Sequence, residues 1–162
     1  MNNRENILQR LAELNISYEM VNHEAAFTMD DLNSMGLNDN NAVCKNLFLR
    51  DYKGKRHMLV VLRGDKQADL VKIREEIDSS RLSFASDERL AKYLDVMKGS
   101  VSPLGIINDT TEAVEVYFDE DLKGMTRLGF HPNDNTATVF LSFNDVNNYI
   151  ESTNHRINFI KV

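Results

Sequence analysis

The chain has 162 residues, of which 42% are hydrophobic and 27% are charged, a balance typical of water-soluble globular proteins. This length fits one domain, so residues 1–162 are expected to fold around one core. No apolar stretch approaches the ~20 residues that span a bilayer, and no apolar signal segment follows the first residues, so a cytoplasmic location is expected. The single cysteine, Cys44, excludes an internal disulfide and a cysteine-based zinc site.

The net charge of −6 argues against a protein that coats nucleic acid, but the charge is unevenly distributed. Residues 50–98 carry a net charge of +3, whereas the rest of the chain carries −9. A local basic face on an acidic protein could attract a phosphate backbone. An ordinary solvated surface of mixed charge explains the same pattern, so charge alone does not decide between the two.

Hydrophobic periodicity and capping residues predict five helices and six strands. In chain order, these are a helix over 3–14, a strand over 16–21, a helix over 28–35 capped by Thr28, strands over 42–49 and 57–63, a helix over 69–77, a helix capped by Ser86, strands over 113–118 and 136–141, a helix capped by Ser142 and a closing strand over 157–162. The strand over 57–63 is apolar on both faces, which indicates a central position. Strands and helices that do not alternate regularly predict an α+β domain with a mixed sheet.

Two short loops hold most of the residues that restrict or relax the backbone. Both prolines and three of the seven glycines lie within residues 99–105 and 129–135. Glycine lets backbone N–H groups approach a ligand closely, and proline fixes the local shape. Two such loops could present N–H donors to an anionic transition state, as an oxyanion hole does. Two ordinary turns are the alternative interpretation.

Lys45 stands on a strand face that is otherwise apolar. Alternation along the strand places it with Val43, Leu47 and Leu49. A lysine there either extends its ammonium group to solvent at the strand end or reaches a pocket and binds a phosphate or hydroxyl group. Cys44 falls on the opposite face, which makes a nucleophilic cysteine at this position the weaker hypothesis.

His131 lies between Phe130 and Pro132 in the second loop, where it could contact a ligand or be only structural. The sequence contains no zinc motif such as His-Glu-x-x-His, no Gly-x-Ser-x-Gly elbow and no Walker-type phosphate loop. We therefore expect a site without a metal, a cofactor or a covalent nucleophile.

Three segments carry a resemblance to a known family when they are taken together and in chain order: residues 42–51, 99–105 and 129–138. They resemble the prolyl-tRNA editing-domain superfamily (YbaK-like), and in particular its freestanding branch that deacylates alanyl-tRNA(Pro). The resemblance runs from the first helix to the final helix. It implies an α+β fold in a single domain with a mixed, barrel-like β-sheet flanked by helices. It also implies hydrolysis of the ester between an amino acid and the terminal adenosine of tRNA.

The resemblance assigns roles to individual residues. The first loop would hold the aminoacyl carbonyl and the attacking water in a Gly-x-x-x-Pro pattern made of Gly99, Ser100, Val101, Ser102 and Pro103. Lys45 would contact the terminal nucleotide, with Asn46 following it, and His131 would lie near the aminoacyl ester. The nucleophile would be water, assisted by the 2′-hydroxyl of the substrate.

The amino-acid pocket is expected to be small, because a second site can hydrolyse alanine while excluding proline. Position alone makes four residues candidates for lining it, with core packing as the alternative for each: Val21, Phe27, Met29 and Leu32.

The expected partners are the acceptor end of tRNA(Pro) and prolyl-tRNA synthetase, and the protein is expected to be a monomer without membrane contact. Charge contacts with the acceptor end would come from Arg50, Lys55 or Arg81. No aromatic platform for stacking nucleobases is evident in the sequence. Two other functions remain open: removal of cysteine from tRNA(Pro), and a non-catalytic module that binds amino acids or aminoacyl-tRNA and regulates another process.

Overall fold

The computed structural model describes residues 3–26, 29–36 and 42–162, except for the side chain of Met29. In chain order, the elements of this part are α1 (Asn3–Glu13), β1 (Glu19–Asn22), α2 (Met29–Ser34), β2 (Lys45–Arg50), β3 (His57–Leu62), α3 (Leu70–Ile77), β4 (Ser83–Phe84), α4 (Asp87–Leu94), a 3₁₀ helix (Pro103–Asn108), β5 (Val114–Asp119), a 3₁₀ turn (Glu120–Leu122), β6 (Leu128–Phe130), β7 (Ala137–Leu141), α5 (Phe143–Glu151) and β8 (Ile157–Ile160). None of the helices in the described ranges is long and apolar enough to cross a membrane.

A mixed five-stranded sheet in the order β4-β2-β3-β5-β8 forms the larger part of the fold. β2 pairs antiparallel with both β3 and β4, whereas β5 runs parallel to both β3 and β8. β3 lies in the middle of the sheet, and all six of its residues are buried. The central position predicted from its apolar run is therefore confirmed.

A second, antiparallel sheet in the order β1-β7-β6 meets the first at Gly129 in β6. Gly129 forms an isolated bridge with Val43, just before β2. Its N–H donates to the Ala42 carbonyl (2.7 Å), and its carbonyl accepts from the Cys44 N–H (3.2 Å). A Cβ atom added to Gly129 would lie 2.7 Å from a ring carbon of Phe140, so the backbone can approach so closely only because this residue is glycine.

The α+β fold with a mixed sheet and flanking helices is confirmed, but the barrel-like closure is wrong. Within the described residues, β4 and β8 are the outer strands of the larger sheet, and β1 and β6 are the outer strands of the smaller sheet. The isolated Val43–Gly129 bridge joins the two sheets without continuing as a ladder, so neither sheet closes on itself.

Apolar side chains cover both faces of the larger sheet, as the alternation of β-strand side chains requires. On one face, Phe48, Leu59 and Phe118 pack in a cluster with residues of α1, α4 and α5. On the other face, Leu49 and Val60 pack against α3. β2 therefore lies between two clusters, and the parity of a residue in β2 decides which cluster its side chain joins.

The predicted strands are present with shifted ends, and two short strands escape prediction. The strand expected over 16–21 begins at Glu19, and the strand expected over 42–49 begins at Lys45. β4 and β6 have two and three residues, which is too short for alternation to be visible in the sequence.

Two predicted helix caps are confirmed. Ser86 accepts a hydrogen bond from the Arg89 N–H (3.3 Å) at the start of α4, and Ser142 accepts one from the Asp145 N–H (3.1 Å) at the start of α5. The third predicted cap, Thr28, lies outside the described residues.

Candidate active site

A cavity of about 810 Å³ opens beside β2 and the segment that leads into it. Its other walls come from α2, from residues 84–87 where β4 leads into α4, from Lys98, Gly99 and Val101, and from β6 with the residue that follows it. Three segments that lie far apart in the sequence therefore meet here, since Lys45, Gly99 and His131 all line the same space.

Lys45 reaches the edge of this cavity from the first position of β2, and its side chain is half-buried. Leu47 and Leu49 belong to the cluster under α3, which confirms that an apolar face continues along the strand from Lys45. The ammonium group donates a hydrogen bond to the carbonyl of Lys66. Because an ammonium group has three N–H donors, it retains donors for a ligand in the cavity.

The Lys66 carbonyl, which accepts the hydrogen bond from Lys45, lies in a loop that ion pairs hold in place. Lys66 donates through Nζ to Asp119 Oδ1 (2.8 Å), to Asp121 Oδ2 (2.6 Å) and to the Val162 carbonyl (2.7 Å). Burial lowers the pKa of Lys66, but the hydrogen bonds to the two carboxylates outweigh burial, so the net pKa is raised. A lysine that stays charged beside the fully buried Asp119 anchors this loop, and the loop in turn holds Lys45.

Asn46 lines the cavity from the strand face opposite to that of Lys45. Its Oδ1 atom is buried and has no hydrogen-bond partner among the described residues. A buried acceptor without a donor costs about 1–3 kcal/mol, which a ligand that brings an N–H or O–H group would recover. Asn46 is therefore a polar group positioned for a ligand.

The first predicted loop turns its backbone toward the cavity. Gly99 and Val101 line the cavity, and Gly99 has a φ of +92°, a conformation that favours glycine. The N–H of Val101 makes no hydrogen bond within the described part of the chain, so it is available to an anionic oxygen.

The remaining residues of this loop lie behind the cavity wall. Ser102 is fully buried, and its hydroxyl accepts a hydrogen bond from the Leu104 N–H (3.1 Å). Pro103 begins the 3₁₀ helix and is also buried, and Ser100 is buried with its N–H bonded to the Met97 carbonyl (3.1 Å). The residues that do not line the cavity are Ser100, Ser102 and Pro103, and the structure shows them shaping the loop.

His131 follows β6, and one of its two ring nitrogens is hydrogen-bonded within the protein. Nδ1 lies 2.8 Å from the Ala137 carbonyl, which fixes Nδ1 as the protonated nitrogen and leaves Nε2 as an acceptor. No group of the described residues bonds Nε2. Burial lowers the pKa of His131, the bond to Ala137 opposes this in part, and the nearby His23 lowers the pKa further. A neutral imidazole with a free acceptor therefore faces the cavity.

A family model described as the aminoacyl-tRNA editing domain matches residues 23–149, which include all of these site residues. The chain belongs to the aminoacyl-tRNA editing-domain family. It is 40% identical over 162 residues to the prolyl-tRNA editing protein ProX of Acetoanaerobium sticklandii, with 100% of this chain and 99% of that protein covered. It is 33% identical to the prolyl-tRNA synthetase associated domain-containing protein 1 of Bos taurus, with 91% and 88% covered.

Two further proteins are similar to this chain, one of which is much longer and the other of which is a solved structure. The proline–tRNA ligase of Limosilactobacillus fermentum is 29% identical over 67% of this chain, which corresponds to 19% of the ligase. A crystal structure described as a candidate trans-editing enzyme for prolyl tRNA synthetase superposes with a TM-score of 0.74 at 18% identity, with 100% of this chain and 98% of that chain covered. This structural similarity shows that the two chains share a fold.

In this editing domain, the described residues among those predicted to line the amino-acid pocket differ in whether they line the cavity. Leu32 in α2 lines the cavity. Val21 in β1 does not line it and packs instead against the small cluster that includes Leu32. Phe27 and the side chain of Met29 lie outside the described residues.

Cys44 also lines the cavity of the editing domain, but its thiol is unsuited to attack. It is buried, and burial together with the negative charge of Asp119 raises the pKa of the thiol. A thiol that stays protonated is a poor nucleophile. No group of three His, Cys, Asp or Glu residues in the described ranges has the arrangement of a metal site.

The sequence does not reveal one wall of the cavity. Phe84, Ala85, Ser86 and Asp87 line it between β4 and α4, with Lys98 nearby. Only the capping serine carries a signal in the sequence, because the two-residue strand β4 has no recognisable pattern.

Proposed function

We propose that this editing domain acts in trans to remove alanine from mischarged Ala-tRNA(Pro) by hydrolysis with water, without a metal. The observation that carries the proposal is the convergence of Lys45, Asn46, the loop at Gly99 and His131 on one cavity. An aminoacyl ester is already activated, so positioning and stabilisation of the oxyanion are enough for catalysis. The name of the relative from Acetoanaerobium sticklandii, a prolyl-tRNA editing protein, supports this substrate class.

The reaction needs one water molecule, one group that stabilises the oxyanion and one group that positions the water. The aminoacyl carbonyl lies against the backbone of the first loop, where the free N–H of Val101 stabilises the oxyanion. His131 Nε2 accepts a hydrogen bond from the attacking water, because the neutral ring offers a lone pair there. The ester C–O bond breaks, the neighbouring 2′-hydroxyl relays the proton to the leaving ribose oxygen, and the products are alanine and uncharged tRNA.

Lys45 and Asn46 hold the nucleotide end of the substrate. The Lys45 ammonium group donates to a phosphate or hydroxyl oxygen while it remains bonded to the Lys66 carbonyl. Asn46 Oδ1 accepts from a ribose hydroxyl group, which satisfies a buried acceptor. This arrangement binds the part of the substrate that every aminoacyl-tRNA has in common.

The choice of alanine over proline depends on the space near Leu32 in α2. A small apolar subsite admits a methyl group and excludes the pyrrolidine ring, in the manner of a second sieve. The partner that would supply mischarged tRNA is prolyl-tRNA synthetase. The similar segment inside the proline–tRNA ligase of Limosilactobacillus fermentum supports this association.

The direct test is a panel of tRNAs charged with Ala, Cys, Ser or Pro, each incubated with the purified protein. We expect fast release of alanine, slower release of the other amino acids and no release of proline, with the same rates in the presence of EDTA. Equal release from Pro-tRNA(Pro) would contradict the size selection. Loss of activity with EDTA would contradict the metal-free mechanism.

The role of Lys45 is tested by Lys45→Ala, which should slow the deacylation of Ala-tRNA(Pro) at least about tenfold because a charged contact to the substrate is lost. The matched control is Lys72→Ala, since Lys72 is an exposed lysine on α3 outside the cavity. Thermal unfolding of both variants checks that the fold survives. An unchanged rate in Lys45→Ala would remove Lys45 from the site.

A further inference from the structure

We propose that Phe84 is a stacking platform for the nucleobase of the terminal nucleotide of the substrate, an inference that rests on the proposed function and assigns the base a place in the same cavity. Phe84 lines the cavity, yet 59% of its surface is exposed. An aromatic ring left open to solvent at the mouth of a binding cavity offers a flat apolar face. Aromatic side chains bind single-stranded nucleic acid by stacking on bases in this way.

The backbone at Phe84 is fixed, so the ring is attached at a defined place beside the cavity. Phe84 pairs in register with Leu49 of β2, and the N–H of the next residue, Ala85, donates to the Phe48 carbonyl (2.9 Å). Ser86 then caps α4, so the chain is held by a strand on one side and a helix on the other. With the backbone held, only the side-chain torsions of Phe84 remain to be ordered when a base stacks on the ring.

The position of Phe84 along β2 suits the length of an aminoacyl nucleoside. Phe84 lies opposite Leu49, four residues along the strand from Lys45, which is a distance of about 13 Å in an extended strand. Side chains that reach into the cavity from both ends shorten this span. A substrate whose sugar is held by Lys45 and Asn46 therefore extends its base toward Phe84 and its amino acid toward His131.

The size of the cavity supports an occupant larger than the amino acid alone. Its volume of about 810 Å³ lies within the range of about 300–1,000 Å³ that is usual for sites of drug-sized ligands. A methyl side chain and its ester fill only a small part of this space. Lys98, which lines the same mouth, adds a positive charge on the side from which the phosphate backbone would enter.

The test uses tryptophan as a reporter, because the sequence contains none. Phe84→Trp places a single indole in the cavity, and Tyr52→Trp places a single indole at an exposed site outside it, where Tyr52 has 72% of its surface exposed. Each variant is titrated with a non-hydrolysable amide analogue of 3′-alanyl-adenosine and with the same amide on a ribose that has no base. Stacking predicts quenching of the Phe84→Trp fluorescence by the base-bearing ligand, with no change in Tyr52→Trp.

Calorimetric titration of Phe84→Ala gives a second measurement. The affinity for the base-bearing ligand should fall about tenfold or more, whereas the affinity for the ligand without a base should stay the same. Phe84→Tyr should restore the wild-type affinity, since it retains an aromatic face. Because Phe84 is largely exposed, thermal unfolding of these variants should be close to wild type.

The possible results separate this inference from the proposed function. If the wild-type protein binds both ligands equally well, or if Phe84→Ala weakens both equally, then the base does not stack there and the inference is wrong while the function stands. Unchanged affinity for both ligands in Phe84→Ala would also overturn the inference, and is the result expected if a partner protein, and not the base, covers Phe84. If the wild-type protein binds neither ligand and leaves Ala-tRNA(Pro) intact, both proposals fail.

Discussion

His131 and His155 are both buried, but their hydrogen bonding differs in a way that separates a functional ring from a structural one. Both ring nitrogens of His155 have partners: Nε2 lies 2.8 Å from Asp109 Oδ2, and Nδ1 lies 2.9 Å from Thr153 Oγ1. Within the described part of the chain, His131 has one hydrogen-bond partner, the Ala137 carbonyl, and the ring lines the cavity. A histidine whose bonding capacity is used entirely by the protein holds the fold, whereas one with a free nitrogen in a cavity can act on a ligand.

The surroundings of the two rings support the same distinction. Asp109 also accepts hydrogen bonds from the backbone N–H groups of Ala113 (3.2 Å) and Val114 (2.8 Å), so His155 completes a network at the start of β5. No carboxylate among the described residues is hydrogen-bonded to His131, and burial lowers its pKa, although the charge of Asp134 opposes this. A neutral imidazole with an open ring nitrogen is the form that a hydrolytic reaction would need as an acceptor.

The largest effect is expected from His131→Asn, which should reduce deacylation of Ala-tRNA(Pro) about 100-fold or more, the lower end of what a positioned proton acceptor contributes. The asparagine amide retains a donor near the Nδ1 position, so the bond to the Ala137 carbonyl and the fold should persist. Single-turnover deacylation measures the rate, and thermal unfolding checks the fold. A rate within threefold of wild type would place the reaction elsewhere.

The pH dependence should sharpen the comparison. The pKa of His131 is lowered from its ordinary value of 6.5, so the neutral ring persists to lower pH than in an exposed histidine. The rate should be steady above this pKa and fall about tenfold per pH unit below it, because protonation removes the acceptor at Nε2. In His131→Asn this acid limb should be absent. The uncatalysed hydrolysis of the ester is measured in parallel and subtracted.

The same shift links pH to stability. The unfolded chain takes up the proton near pH 6.5, whereas the folded protein resists it until the pH reaches the lowered pKa. The free energy of unfolding should therefore decrease as pH falls below about 6.5. His57 contributes in the same direction, because burial and the charge of Arg89 lower its pKa.

The smallest effect on catalysis is expected from His155→Asn, which should reduce the free energy of unfolding by about 1–3 kcal/mol because Asp109 loses a buried donor. The deacylation rate of the folded protein should stay within twofold of wild type. Urea denaturation measures the stability, and rates are taken at a temperature where the variant is fully folded. A large loss of rate without loss of stability would reverse the roles assigned to the two rings.

The sequence predicts those parts of this fold that depend on local chemistry. The serine caps at Ser86 and Ser142 and the buried strand β3 follow from side-chain hydrogen bonding and from apolar composition, which are visible within a few residues. Only the family resemblance predicts that Lys45 and His131 belong to one site, because their places at the same cavity depend on how the two sheets meet.

Other features depend on distant contacts and could not be predicted. The Lys66 carbonyl that receives Lys45 is fixed by Asp119 from β5 and by Val162, and no local pattern links these positions. Phe84 lies on a strand that exists only because β2 offers an unpaired edge. The isolated bridge between Gly129 and Val43, where the two sheets meet, is likewise not announced by any local pattern.

Gly129 gives the site an unexpected weak point. Its backbone is bonded on both sides to the segment that enters β2, and a methyl group there would collide with Phe140 and press on Val43 Cγ2 at 3.1 Å. Any larger residue here, two positions before His131, would have to displace the Phe140 ring of the same sheet and the Val43 side chain beside β2. The position that links the two sheets beside the cavity thus bears no functional group at all, and what it contributes is the space left by a missing carbon atom.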